Sequence, residues 1–498
     1  MKIKNIITVL LLVAFILASC APAAKVVSIE TAVPTLTVTS IPPTITITPT
    51  PSPENLADTK DLSKWVDGFV HAYGGKVTVN SVEMDTSQLT DEIRKNPEAF
   101  TQAKKVNGVE YSFLVVNGVP LAMQGSDDLW KDIGYKDIFP DDFEVGASFA
   151  IWTGDYDSDS RYGKIFANNF TIAATDGELS DYELMKKIPN DKKLTPQEVL
   201  AYYDWTNFDK MITYSKANNV LIRAMHLLDG YTTDSAPQWL QQMSDDELRE
   251  YIKLHLTAIL TRTDFKEASV VSEAFYGAGI PGNNFFYARL GEKFIEDTFA
   301  IAHNVSPQTT LILNDNIVYG PHGDKSDDGV WTNSVINGES NAIFNFVSKK
   351  VLNGMPINGV GIETHIMASD FVSNDTDGTI EKYKKDLIVL MEKYKNIGID
   401  VYITELDLNI AGLPSDWNNQ QKQEHKAKIY RAIFEACLSS INCKSVTTWG
   451  FSDKATWMFT DGYPYGAGES PLPLDINYQP TISNYVIKQV LFEHWIQQ

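Results

Sequence analysis

The chain has 498 residues and a formal net charge of −22. That excess of acid repels nucleic acid, whose phosphates need a positive field, and fits a soluble protein acting on a neutral polymer. Hydrophobic residues make up 43% and aromatics 11%, so one large α/β domain with appendages is within reach, and rings remain for stacking on sugars even if most are buried.

Lys2 and Lys4 precede an apolar run from Ile6 to Leu17, too short to span a bilayer and arranged like a secretory signal. The run ends Leu17-Ala18-Ser19-Cys20, which resembles a bacterial lipobox, where the Cys is lipid-modified and becomes the new N-terminus. Residues 1–20 are therefore expected to be a lipoprotein signal peptide, with a membrane attachment through lipid at Cys20 and a cell-surface, extracytoplasmic location. Residues 21–55 follow as a linker rich in Thr and Pro, a composition that cannot pack a core and holds an extended tether. Excluding Cys20, the remaining cysteines are Cys437 and Cys443; in an exported chain a local disulfide is favoured over two buried thiols.

Residues 56–140 read as a small α+β module. Asn107-Gly108 and Asn117-Gly118 flank the alternating apolar run Val109–Val116, a hairpin signal. A carbohydrate-binding module and a structural extension of the next domain are both open.

From 141 to 498 a regular alternation of strand and helix predicts strands at Phe143–Phe149, Phe170–Ala174, Val220–Leu227, Ala268–Ser272, Thr310–Leu313, Gly359–His365, Ile399–Glu405 and Ser445–Gly450. Eight such units predict an α/β fold of the (β/α)8 TIM-barrel type. An open doubly wound sheet is the alternative, but no strand leads into a G-x-G-x-x-G turn. Thr195-Pro196-Gln197-Glu198 and Ser244-Asp245-Asp246-Glu247 both read as capping boxes. Residues 379–397 and 420–438 carry apolar residues at helical spacing.

Glu273 and Glu405 end the fourth and seventh predicted strands and so should emerge on one rim, the carboxyl end where barrel enzymes place their chemistry. Two carboxyl groups facing each other across a cleft are what glycosidic bond cleavage requires: a proton donor for the leaving oxygen and a second acid on the opposite face of the anomeric carbon.

The residues around these acids resemble glycoside hydrolase family 10, the endo-1,4-β-xylanases. Ile403-Thr404-Glu405-Leu406-Asp407 is similar to that family's nucleophile strand, and Val270-Val271-Ser272-Glu273-Ala274 to its acid/base strand. Gly359-Val360-Gly361-Ile362-Glu363-Thr364-His365, Asn314-Asp315, and Trp449-Gly450-Phe451-Ser452-Asp453-Lys454 with Trp457 resemble further family segments in family order. The resemblance implies retaining endo-β-1,4-glycanase activity, most readily on xylan, with Glu405 as nucleophile and Glu273 as acid/base. It also implies that His365 orients Glu405, that Trp449 and Trp457 wall the sugar, and that His226, Ser272, Asn314, Glu363, Asp407 and Lys454 bind or support. Many members carry a disulfide where Cys437 and Cys443 stand. No cofactor is implied and the chain is expected to act as a monomer.

Three departures stand out. Ser272 replaces an Asn that contacts the sugar 2-hydroxyl, Glu363 replaces a Gln and adds a third carboxylate able to raise a neighbour's pKa, and Ala174-Thr175-Asp176-Gly177-Glu178-Leu179-Ser180 lacks the family's sugar-binding Asn and Lys. Alternatives are therefore a catalytically weak glycan-binding surface lipoprotein, or a barrel hydrolase for another β-glucan or a decorated xylan. A metal site is not expected: there is no H-E-x-x-H or Cys/His cluster. Asp155, Asp157 and Asp159 alternate like the start of a calcium loop, but Ser160 occupies the Gly position and no Glu closes it.

Overall fold

The computed structural model describes the strands at 76–79, 82–85, 101–106, 109–116 and 119–123, and residues 134–497 apart from 139–142, 181–182, 229, 276–283, 317–337 and 460–469. Residues 1–55, read above as a lipoprotein signal with Cys20 and a linker, lie outside the described residues.

In the N-terminal module, Thr101–Val106, Val109–Val116 and Val119–Met123 form an antiparallel sheet. Val106 pairs with Val109 and Val116 with Val119, so each connection spans one of the two Asn-Gly pairs, the spacing of a two-residue hairpin.

Lys76–Val79 and Val82–Asp85 form a separate antiparallel pair, and the strands after residue 143 build a closed parallel barrel. Its strands are β1 (Glu144–Ser148), β2 (Ile172–Ala174), β3 (Leu221–Ala224), β4 (Glu267–Ser272), β5 (Thr310–Asp315), β6 (Gly359–Ile362), β7 (Asp400–Asn409) and β8 (Cys443–Thr448). Each pairs with the next, and β8 closes on β1. The helices α1 (Arg161–Asn169), α2 (Thr206–Asn218), α3 (Asp245–Leu260), α4 (Lys293–Val305), α5 (Gly338–Leu352), α6 (Thr376–Lys395), α7 (Asn419–Leu438) and α8 (Ile482–Gln497) follow the strands in turn.

Both capping boxes form. Thr195 and Glu198 cap a short helix that begins at Pro196, and Ser244 and Glu247 cap α3. A third, Asn418 with Gln421, starts α7. Each satisfies backbone N–H groups that the first helical turn leaves without partners. The strand expected at 399–405 runs on to Asn409, because a short strand, His365–Met367, pairs with Asp407, Leu408 and Asn409 beyond the barrel proper. That pairing joins residues far apart in sequence and leaves no local mark.

Inside the barrel, at the end away from the rim, Arg223 is fully buried. Its guanidinium donates to Glu267 at 2.6 Å, to Thr447 Oγ1 at 2.8 Å and to Ser445 Oγ at 2.7 Å, and it lies over the Tyr402 ring. Three strands are thus bound through one cation whose donors are satisfied, the condition under which a buried charge is tolerated. Outside β1, Phe149, Tyr156, Tyr162, Phe166 and Tyr214 pack ring against ring, and Tyr162 Oη accepts the Ala150 N–H at 3.1 Å. This cluster anchors the loop that leaves β1. Cys437 at the end of α7 and Cys443 at the start of β8 are joined by a disulfide with Cα atoms 5.2 Å apart.

Candidate active site

Register alone brings the acids together. Ser272 pairs with Asn314, and Asp315 with Ile362, which pairs in turn with Ile403; Glu273 and Glu405 therefore leave adjacent levels of the same rim. Glu405 is 4% exposed and surrounded by donors. Its Oε1 accepts from Asn314 Nδ2 at 2.9 Å, and Oε2 lies 3.2 Å from His365 Nε2. His365 is held from behind by Asp407 at 2.9 Å, and the other oxygen of Asp407 takes the Trp457 indole N–H at 2.7 Å.

These contacts set the charges. Burial opposes ionisation of His365, but Asp407 and Glu405 outweigh it and hold the imidazole protonated well above its ordinary range. Burial also opposes ionisation of Glu405, yet the neighbouring histidines and the Asn314 amide bring its pKa below the usual carboxylate value. His226 Nε2 sits 3.5 Å from Glu405. Burial lowers the His226 pKa, against the charge of Glu405, which raises it.

Glu273 is in the opposite condition. Burial first, and then the charge of Glu405, push its pKa up to about 7. Its backbone adopts φ +48°, an uncommon conformation for a residue with a side chain, and its N–H donates to the Asn314 carbonyl at 3.1 Å. Gly230 leaves room for it: a Cβ there would lie 2.5 Å from the Cβ of Glu273. One acid is thus kept ionised and the other protonated, which is how acid and base roles are divided between two carboxyl groups.

Asn314 ties the floor of the site. Its oxygen accepts from Thr404 Oγ1 at 2.7 Å, and its amide reaches Glu405 and Glu363 at 2.9 Å each and Ser272 Oγ at 3.1 Å. Ser272 Oγ also donates to Glu363 at 3.3 Å. Ser272 and Asn314 are almost wholly buried and are tied to the carboxyl groups of Glu363 and Glu405. The third carboxylate, Glu363, takes the electrostatic burden itself: burial, then Glu405, Glu273 and Asp315, raise its pKa well above the ordinary value.

Trp449 and Trp457 flank His365 with ring centroids 6.5 and 5.0 Å away, and Trp449 also lies against His226. Lys454 is tied to the loop after β1. It pairs with Asp155 at 3.0 Å and Asp159 at 3.3 Å, so two of the three alternating acids of the β1 loop bind a lysine, and Asp157 pairs with Lys210.

Glu363, His365 and Glu405 have potential ligand atoms within 4.8 Å of one another. Both His365 nitrogens face carboxylates.

Residues outside the predicted site also reach it. Asp176, after β2, has its pKa pushed up to about 6 by burial, against a hydrogen bond from Ser148, and it senses the charge of Glu405. Glu178 is buried and pushed up to about 8, by burial first and then by Asp176. An acid pair directly after a strand was the available signal.

The model of glycosyl hydrolase family 10 matches residues 136–490. Endo-1,4-beta-xylanase B of Thermotoga neapolitana is 27% identical over 296 residues, covering 58% of this chain and 75% of that protein. An exoglucanase of Acetivibrio thermocellus, XynX, is 23% identical over 344 residues, 66% of this chain and 27% of its own length. Among solved structures, xylanase 10B from Thermotoga petrophila in complex with xylobiose superposes with a TM-score of 0.57 at 22% identity, covering 72% of this chain and 98% of that one. Endo-1,4-beta-xylanase XylE of Penicillium canescens gives 0.58 at 18%, again over 72% of this chain and 98% of that one. At these identities the superpositions speak for the fold.

Proposed function

Because the chain belongs to glycosyl hydrolase family 10 and is a glycoside hydrolase, we propose that it is a retaining endo-β-1,4-glycanase acting on xylan, with Glu405 as nucleophile and Glu273 as acid and then base. The observation that carries this reading is the opposite protonation of the two acids. Glu405, ionised, attacks the anomeric carbon while Glu273 gives its proton to the departing glycosidic oxygen. Once Glu405 is esterified its negative charge is gone. One of the two causes that raise the Glu273 pKa goes with it, so the same carboxyl group becomes the base that takes a proton from the incoming water. His365 follows the charge on Glu405, and Trp449 and Trp457 give the sugar apolar walls.

A hydrolase for another β-glucan or a decorated xylan is the second reading, favoured by the rewritten segment after β2. A pure glycan binder fits less well, since binding needs no division of protonation between two acids. A panel of xylans and β-glucans with product analysis, run beside Glu405→Gln and Glu273→Gln, tests the proposal; the first-formed product should keep the β configuration. Full activity in Glu405→Gln would sink the assignment.

The signal-like segment, Cys20 and the Thr/Pro-rich linker support export and lipid anchoring, with the hydrolase held off the surface. Cys20→Ser should move the protein from the membrane fraction to the medium in a bacterial host; unchanged membrane association would refute the anchor.

A further inference from the structure

We infer that Trp152 is a stacking platform for a pyranose ring on the glycone side of the cleft, with Asp176 as the polar partner of that sugar. The inference deepens the β-glycan hydrolase reading and rests on it. Trp152 lies in the turn Ile151–Thr153 directly after β1, on the rim that carries both acids. Its neighbours Phe149, Ala150 and Ile151 are buried, whereas Trp152 is 37% exposed, and among the described residues no other ring packs on its indole.

The ring is nonetheless held firmly. One buried carboxyl group, Glu178, clasps both loops: Oε1 accepts from Ile151 N at 2.7 Å and more weakly from Trp152 N at 3.4 Å, and Oε2 accepts from Asp176 N at 2.9 Å. The indole lies on Gly177, where a Cβ would come within 2.9 Å of its Cδ1. Asp176, beside the indole, accepts from Ser148 Oγ at 3.3 Å, and the Trp152 side chain is among the groups that lower its pKa. A side chain at 177 would therefore displace the ring, so the glycine and the tryptophan form one device.

An exposed, oriented indole with a carboxyl group at its edge suits a sugar, which offers an apolar face of C–H groups and a rim of hydroxyls. The side follows from the chemistry. Asp176 follows β2 on the rim that carries Glu405 and senses its charge, and Glu405 bonds to the sugar that stays on the enzyme, so this corner faces the glycone.

The test compares xylopentaose with 4-nitrophenyl β-xyloside, which has one sugar and cannot reach a second subsite. Trp152→Ala should lower kcat/KM on xylopentaose about tenfold or more and leave the aryl xyloside within about twofold. Trp152→Phe should recover most of the loss, and Gly177→Val should reproduce the alanine pattern. Thermal melting of each variant checks its fold. Equal losses on both substrates would make Trp152 a support for the catalytic acids, and no loss on either would make it an idle surface ring; both overturn the inference. If the wild-type chain cleaves neither substrate nor any glycan of the panel, the hydrolase reading fails first. Calorimetric binding of xylopentaose to wild type and Trp152→Ala then judges the platform: weaker binding in the variant supports it, and equal or absent binding ends it.

Discussion

Glu363 and Glu405 accept hydrogen bonds from the same amide, that of Asn314, each at 2.9 Å. Two carboxylates this close cannot both ionise cheaply, and the protonated partner is Glu363, whose pKa is raised while that of Glu405 is lowered. Neutral Glu363 is close to a glutamine in shape and bonding.

Glu363→Gln should therefore keep kcat within about threefold, while Glu363→Ala, which leaves the Asn314 amide without one of its acceptors, should cost about 1–3 kcal/mol of stability. Stability against pH gives a sharper check. The folded-state pKa of Glu363 lies above its ordinary 4.5, so the folded protein holds the proton longer and wild-type stability from this group falls as pH rises above that value. The melting temperature of Glu363→Gln should gain on wild type steadily above about pH 4.5. A constant difference from pH 4 to 8 would show that the fold does not raise the Glu363 pKa.

The pH profile of kcat/KM should be bell-shaped. Its alkaline limb reports loss of the Glu273 proton near pH 7, and its acid limb reports protonation of Glu405 at a pH below the ordinary carboxylate range. His365→Gln removes one of the positive charges that lower Glu405, beside His226, and the charge that lowers Glu273. Both limbs should move to higher pH, with a rate about a hundredfold lower at the optimum. Limbs that stay put would show that His365 is neutral in the folded protein.

Much of this site was legible from local pattern. The strand ends, the capping boxes at Thr195 and Ser244, and the acids at 273 and 405 are each written within a few consecutive residues. The remainder depends on contacts between segments distant in the chain. Glu363 differs from its setting in xylanase-like sequences by one carboxyl group, and its protonation follows from a shared Asn314 amide on another strand. Lys454 sits in a motif that suggests a place in the cleft, but Asp155 and Asp159 from the β1 loop compete for its charge. Trp152 reads as one more aromatic until the turn after β2 brings Gly177 beneath it.

Gly230 offers a clean separation of catalysis from folding. Alanine there would put a methyl carbon 2.5 Å from Glu273 Cβ and 3.0 Å from its Oε2, forcing the acid out of line while removing no hydrogen bond. Gly230→Ala should lower kcat on xylan about a hundredfold. The loss should be smaller on aryl glycosides, whose leaving groups need little protonation. A melting temperature close to wild type would confirm that the defect is local; uniform losses on both substrate types would place the damage elsewhere.

The Arg223–Glu267 pair should govern stability and not turnover. It lies at the far end of β4 from Ser272, and Arg223 has no access to water. Glu267→Ala leaves a buried guanidinium hydrogen-bonded to hydroxyls alone, with the Tyr402 ring and the charge of Glu144 beside it, so urea denaturation should show a loss of about 3 kcal/mol. Replacing both residues by methionine removes the charge together with its partner and should recover most of that loss, because two well-packed apolar side chains carry no desolvation cost. The surviving folded fraction of each variant should keep the wild-type KM. A double variant as unstable as Glu267→Ala would mean that the hydrogen bonds to Ser445 and Thr447, and not the charge, hold β3 to β8.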